Sequence, residues 1–237
     1  MANRTVLITG SSKGLGRSLA LVFARNKYNI ILHGRDAPDL RKVRQSVLDH
    51  GVRCDVVRGD ITSAKTIDRL SEVTRRTNID VLINNAGIYL YRPFKNTGAE
   101  DFRKVIEVNL IAPVILTKMV FPVFQRKKSG LIISINSIAG KNPTDGESAY
   151  CASKHGLRGF TRSIQFEANK DHVRVIEVYL GTMNTAMVKG RRDPEKCIQT
   201  TEAADFIFGL CKEYPSMRIN EIDLGRRRYS VRRDQLR

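Results

Sequence analysis

Thr5-Val6-Leu7-Ile8-Thr9-Gly10-Ser11-Ser12-Lys13-Gly14-Leu15-Gly16 is the stretch whose reading decides the fold. It joins a short apolar, β-branched run to a glycine-rich turn. Beyond the turn, Leu15, Leu19, Val22 and Phe23 fall at i, i+4, i+7 and i+8, one stripe of an amphipathic helix. Strand, tight turn and helix follow one another without a linker. Further short apolar runs lie at Asn29-Ile30-Ile31-Leu32, Cys54-Asp55-Val56-Val57, Asp80-Val81-Leu82-Ile83, Leu131 to Ile135 and Val173 to Val178, separated by longer stretches of helical period. Continuous apolar strands alternating with helices imply parallel strands buried on both faces. A seventh strand is expected over 218–224, after a helix over 201–212. The expected fold is α/β: a single-domain, doubly wound Rossmann sheet, mostly parallel and seven-stranded, with helices on both faces. It spans 1–224, and 225–237 forms a basic, flexible tail. Ligands of such sheets bind at the carboxyl ends of the strands.

The opening turn has its own chemistry. Glycine permits positive φ and lets backbone approach an anion closely, and the helix that starts there offers free N–H groups and a partial positive charge. The composition agrees with an anionic partner. Lys and Arg total 41 against 24 Asp and Glu, a formal charge of +17 in 237 residues. Residues 225–237 hold six Arg and one Asp, so most of the excess lies on the body of the chain. Cys54, Cys151, Cys197 and Cys211 are dispersed without metal-ligand spacing and read as reduced thiols, which points to the cytoplasm. The N-terminus has too short an apolar run for a signal peptide. The most apolar stretch, 108–124, is interrupted by Asn109, Pro113, Lys118 and Pro122, so no membrane span is expected.

Thr9-Gly10-x-x-x-Gly14-x-Gly16 differs from the common G-x-G-x-x-G spacing. Other markers follow in order: Asp60 after the third strand, Asn84-Asn85-Ala86-Gly87 after the fourth, then Asn109, Ser137 and Tyr150-Cys151-Ala152-Ser153-Lys154. On these residues the chain resembles the short-chain dehydrogenases/reductases, closely over about 3–185 and more loosely to Leu224. Within that family it looks like the NADP-dependent 3-oxoacyl carrier-protein reductases and carbonyl reductases.

Tyr150 and Lys154 are four apart in a segment of helical period, so their side chains share one helix face. A phenol titrates near 10, and a cation within about 4 to 6 Å can lower it by roughly 1 to 3 units, toward the range useful for acid catalysis. The resemblance implies hydride transfer between a nicotinamide and a carbonyl carbon, with Tyr150 as proton donor. It further implies that Ser137 hydrogen-bonds the substrate oxygen, that Lys154 grips the nicotinamide ribose, and that Asn109 holds a water beside the lysine.

For the cofactor, the resemblance implies contacts from Gly10, Ser12, Lys13, Gly14, Leu15 and Gly16 in the phosphate turn, from Asp60 and Ile61, and from Asn85, Ala86 and Gly87. Gly181, the backbone of Met183 and Thr185 match the positions that hold the carboxamide. NAD-specific folds usually carry an acid at the end of the second strand. This chain has Leu32-His33-Gly34-Arg35, and Arg35 with Lys13 suits a 2′-phosphate. NADP(H) is therefore expected ahead of NAD.

Leu180-Gly181 stands where relatives carry Pro-Gly, and Gly225-Arg226 where many carry Gly-Gly. The short segment 186–200 is expected to form a substrate lid. Its Lys189, Arg191, Arg192 and Lys196 suit an anionic small-molecule or carrier-linked substrate, or else form a solvated loop. Tyr89, Leu90 and Tyr91 line the substrate slot or pack the core. Apolar residues Ile111, Val114, Ile115 and Phe160 on the helices beginning near Ala99 and Ala149 point to a homodimer or homotetramer. The alternative to an enzyme is a dinucleotide-sensing or nucleic-acid-binding protein on the same fold. The set Asn109, Ser137, Tyr150 and Lys154 argues against it.

Overall fold

In a computed structural model that describes residues 3–185, 196–213 and 216–226, seven parallel strands form one sheet in the order β3-β2-β1-β4-β5-β6-β7. The strands are β1 (Thr5–Ile8), β2 (Asn29–Gly34), β3 (Cys54–Arg58), β4 (Val81–Asn84), β5 (Gly130–Ser137), β6 (Val173–Leu180) and β7 (Glu221–Leu224). Helices α1 (Gly14–Arg25), α2 (Ala37–Leu48), α3 (Ala64–Arg76), α4 (Ala99–Ile106), α5 (Ala112–Lys127), α6 (Ser148–Asn169) and α7 (Thr200–Gly209) connect and cover them. The chain is an α/β doubly wound Rossmann fold.

The continuous apolar strands are explained by their two covered faces. Val6 and Ile8 enter the core shared with α1, α2 and α7, while Leu7 between them enters the core on the opposite face with Leu116, Val120 and Phe124 of α5. All three β1 residues are fully buried, each contributing about 1.5 to 3 kcal/mol. Successive side chains alternate across a strand, so no polar position is left on either face.

Three element boundaries differ from the sequence expectation. The last strand covers 221–224 rather than 218–224, beginning where Glu221 pairs with Glu177. The helix before it ends at Gly209 rather than 212. The third difference lies at 99–127, where α4, a π-helical segment (Glu107–Ile111) and α5 run on as 29 residues long and apolar enough to cross a membrane by length and composition. Pro113 sits in the first turn of α5, directly after the π segment, and the helix continues through it. In the fold, Leu116, Val120 and Phe124 bury the inner face of this helix against the sheet.

The sheet order reverses between β1 and β4, whose carboxyl ends diverge to open a crevice. Every site residue named from the sequence that the structure describes follows the carboxyl end of a strand or sits on α1, α6 or the π segment. Lys189, Arg191 and Arg192 lie outside the described residues, as do 227–237.

Candidate active site

The phosphate turn is built by close approach. Gly10 takes φ +64°, and a Cβ on Gly16 would lie 2.2 Å from the Gly10 carbonyl oxygen, so both positions require glycine. Ser11 ties the turn to β2: its hydroxyl donates to the His33 carbonyl and accepts from the His33 N–H. Lys13, the residue before α1, makes no side-chain cap, and the first helical turn holds no acid. The free N–H groups there are left for an anion.

Beside the turn lies a cleft of about 880 Å³, a size usual for small-molecule sites. Gly10, Ser12, Gly34, Arg35, Asp60, Ile61, Ala86 and Gly87 line it, eight of the residues and neighbours expected to meet the cofactor. Asp60 accepts from the Thr62 N–H and hydroxyl, and these bonds hold its carboxyl below the usual range. His33 also lines the cleft, which the sequence reading missed. Burial lowers it to about 4, so the ring is neutral, and its Nε2 has no hydrogen-bond partner. A buried histidine inside a strand carries no distinguishing signal in sequence.

The two cations named for a 2′-phosphate occupy the rim. Arg35 lies 4.0 Å from Asp60, and Lys13 sits 2.8 Å from Asp39 and 3.8 Å from Asp36. These exposed pairs are weak and exchangeable. Asp36 caps α2 through the Asp39 N–H, so its carboxylate does not replace the missing ribose-binding acid of β2.

The Asn85 side-chain amide donates to the carbonyls of Thr9 and Gly10 and braces the phosphate turn, so a ligand would meet its carbonyl oxygens. Leu15 is buried in the core beneath the turn and reaches a ligand only through its backbone. Across the turn, Thr185 closes on Gly14, whose Cβ would lie 3.5 Å from the threonine methyl. The segment 181–185 is anchored by the Gly181 N–H to the Leu224 carbonyl and by a backbone bridge between Met183 and Ile198.

Ser137 ends β5, and Tyr150 and Lys154 lie on α6. The Ser137 hydroxyl lies close enough to the Tyr150 phenol to lower its titration. The Lys154 ammonium donates to the Ile135 carbonyl at 3.0 Å and stands 5.9 Å from the centre of the Tyr150 ring. Here the expectation of a lowered phenol pKa is overturned. Tyr150 lies above its ordinary value because it is buried; the Ser137 hydroxyl pulls it down, and the Glu147 charge pushes it up again. The lysine is itself lowered to about 8 by burial, against the attraction of Glu177.

Asn109 explains an oddity of sequence, an asparagine within a helix. It occupies the π segment, accepts from the Ile88 N–H, and donates to the Ile88 carbonyl and the Ser153 hydroxyl. Its amide thus clamps the loop after Gly87 to α6 one residue from Lys154, leaving the side chain fully engaged and only its backbone carbonyl for a water. Behind Lys154 lies a second group absent from the sequence reading. Glu177, fully buried on β6, accepts from Asn136 and from Tyr179, each at 2.6 Å, while Asn136 also donates to the Lys154 carbonyl.

Residues 4–196 match the model of the short chain dehydrogenase family. The chain is 34% identical over 191 residues to a sepiapterin reductase of Chlorobaculum tepidum, covering 77% of this chain and 78% of that protein. It is 31% identical over 189 residues to a 3-oxoacyl-[acyl-carrier-protein] reductase of Synechocystis, covering 78% and 76%. A metagenomic short-chain oxidoreductase solved in complex with NADP superposes with a TM-score of 0.84 at 28% identity, over 95% of this chain and 98% of that one. The serine, tyrosine and lysine gathered beside a glycine-lined cleft at the sheet's switch point agree with these likenesses, and the chain belongs to the short chain dehydrogenase family of oxidoreductases.

Proposed function

We propose that this chain is an NADPH-dependent carbonyl reductase, with Tyr150 as the proton donor. The observation that carries the reading is the convergence of three side chains: Ser137 at the end of β5, the half-buried Tyr150 phenol whose titration it lowers, and the Lys154 ammonium 5.9 Å from the ring. The residues present fit a dinucleotide: a turn in which a Cβ would collide with backbone, a helix end without an acid, and a cleft of suitable volume. Arg35 on the cleft wall and the absence of a ribose-binding acid on β2 favour NADPH over NADH. The 28%-identical relative was solved with NADP.

When bound, the nicotinamide supplies the hydride delivered to the carbonyl carbon. Ser137 donates to the carbonyl oxygen and holds it against the Tyr150 hydroxyl, favouring the charge that develops there. Tyr150 gives its proton to that oxygen. The positive charge of Lys154 stabilises the phenolate left behind, and its burial keeps that charge unscreened. Asn109, through Ile88 and Ser153, holds the two walls of the site in register.

The sequence points to an anionic or carrier-linked substrate through cations in 186–200, of which only Lys196 is among the described residues. One helical turn before Tyr150 stands the Glu147 carboxylate, which disfavours a negative charge close to the reacting carbonyl.

NADPH oxidation followed with sepiapterin, a 3-oxoacyl thioester and simple cyclic ketones tests the reading. Tyr150→Phe keeps the ring and removes the proton, so turnover should fall by about 10² or more with NADPH affinity retained. Near-normal turnover in that variant would remove Tyr150 from the chemistry.

A further inference from the structure

Glu147 is a buried carboxylate, 8% exposed, immediately before α6 and one helical turn from Tyr150. A carboxylate in this position ordinarily caps the helix, but this one accepts no helix N–H. Its Oε1 instead accepts from the Tyr89 hydroxyl at 2.6 Å. The Tyr89 ring stands edge-on to the Tyr150 ring, 5.1 Å between centres. The arrangement is stitched in place: the Arg92 N–H donates to the Gly146 carbonyl, and Gly146 at φ +71° packs where a Cβ would meet the Tyr91 ring. Among the described residues no Lys, Arg or His pairs with Glu147.

A buried carboxylate without a cation is unfavourable, because one hydroxyl does not replace its hydration. Tyr89 could have fixed the 88–98 loop by donating to a neutral acceptor. A fixed charge at this point, close enough to push up the titration of Tyr150, acts on whatever enters the site.

We propose that Glu147, oriented by Tyr89, is a specificity subsite for a carbonyl compound bearing a cationic amine a few bonds from the reacting carbon. The inference rests on the reductase reading and names its substrate class. The ammonium of the substrate supplies the cation that no described residue brings to Glu147, while the carbonyl lies at Ser137 and Tyr150. A carboxylate at the same place is repelled. The overall charge of +17 draws anions to the surface at long range but does not reach past this contact, since screening confines surface charge to about 10 Å.

Three six-membered ketones of one size test it: 1-methylpiperidin-4-one, protonated at pH 7, 4-methylcyclohexanone, and 4-oxocyclohexane-1-carboxylate. Binding of each to NADP⁺-loaded protein is measured by calorimetry, and turnover of each with NADPH by absorbance. The ammonium ring should bind at least tenfold more tightly than the neutral ring, and the carboxylate most weakly. In Glu147→Gln, which keeps an acceptor for Tyr89, the ammonium-to-neutral ratio should fall at least tenfold, and Glu147→Asp should restore part of it. The ratio divides out anything Glu147 does to Tyr150. Equal binding of the three rings by the unmodified protein, or a ratio unmoved in Glu147→Gln, overturns the subsite. Selective binding that depends on Glu147 but without turnover of any ring upholds the subsite and overturns the reductase reading alone.

Discussion

Lys154 and Glu177 show how burial sets the charge that a single side chain brings to a site. Lys154 titrates at about 8, lowered by desolvation and partly restored by the Glu177 charge. An unfolded lysine titrates near 10.4, so from about pH 8 upward the unfolded chain binds the extra proton and stability rises with pH until about 10.4. Activity runs the other way. The ammonium is the form that supports a Tyr150 phenolate, so kcat/KM should fall as pH rises through about 8. Glu177→Gln keeps both hydrogen-bonded neighbours but removes the negative charge, which lets Lys154 lose its proton more easily. The basic limb of the pH profile should then move to lower pH, while a merely structural role for Glu177 would lower the melting temperature and leave the limb in place.

At the level of elements, we propose that the β1–α1 and β2–α2 connections set the cofactor specificity. Arg35 leaves β2 at the rim of the cleft, and Lys13 leaves the phosphate turn beside it, each paired with an aspartate across exposed surface. A 2′-phosphate carries more charge than a carboxylate and takes these cations over, each charge-assisted contact being worth about 1.5 to 3 kcal/mol. Arg35→Asp should therefore weaken NADPH at least tenfold more than NADH in a binding titration. Equal losses would show that the phosphate is not read at β2. The phosphate turn itself tolerates less. In Gly16→Ala the new methyl meets the Gly10 carbonyl and the Asn85 amide, so the turn must shift, and the variant should lose NADPH binding together with about 1 to 3 kcal/mol of stability.

At the scale of the whole molecule, the outer faces of α4, α5 and α6 are the exposed apolar surface the sequence points to. Ile115 is 42% exposed and Phe166 79%, whereas Ile111, Val114 and Phe160 are half-buried. Phe166 takes the place of Phe160 as the prominent aromatic, because α6 turns Phe160 partly inward. We propose that a second copy covers this face, giving the homodimer or homotetramer expected from sequence. Light scattering at micromolar concentration should give at least twice 26.8 kDa, and Phe166→Glu should shift the mass toward the monomer. A monomeric mass for the unmodified chain would remove the interface.

The local chemistry of the chain determined the sheet, because apolar strands covered on both faces and a glycine turn opening a helix leave few arrangements that bury them. It also placed Tyr150 and Lys154 together, since four residues on a helix bring them to one face whatever surrounds them, while Ser137 joined them through the family resemblance. Only the tertiary structure decided what those groups experience. Tyr150 is raised rather than lowered, chiefly because segments distant in sequence bury it, with the Glu147 charge one turn before it adding to the effect. Asn85 faces the turn, not the cleft, and His33 and Glu177 enter the site from strand interiors where sequence marks only buried positions. Backbone periodicity is set by neighbours along the chain, whereas desolvation and hydrogen-bond partners are set by residues brought close from 20 to 80 positions away, and these arise only when the layers pack.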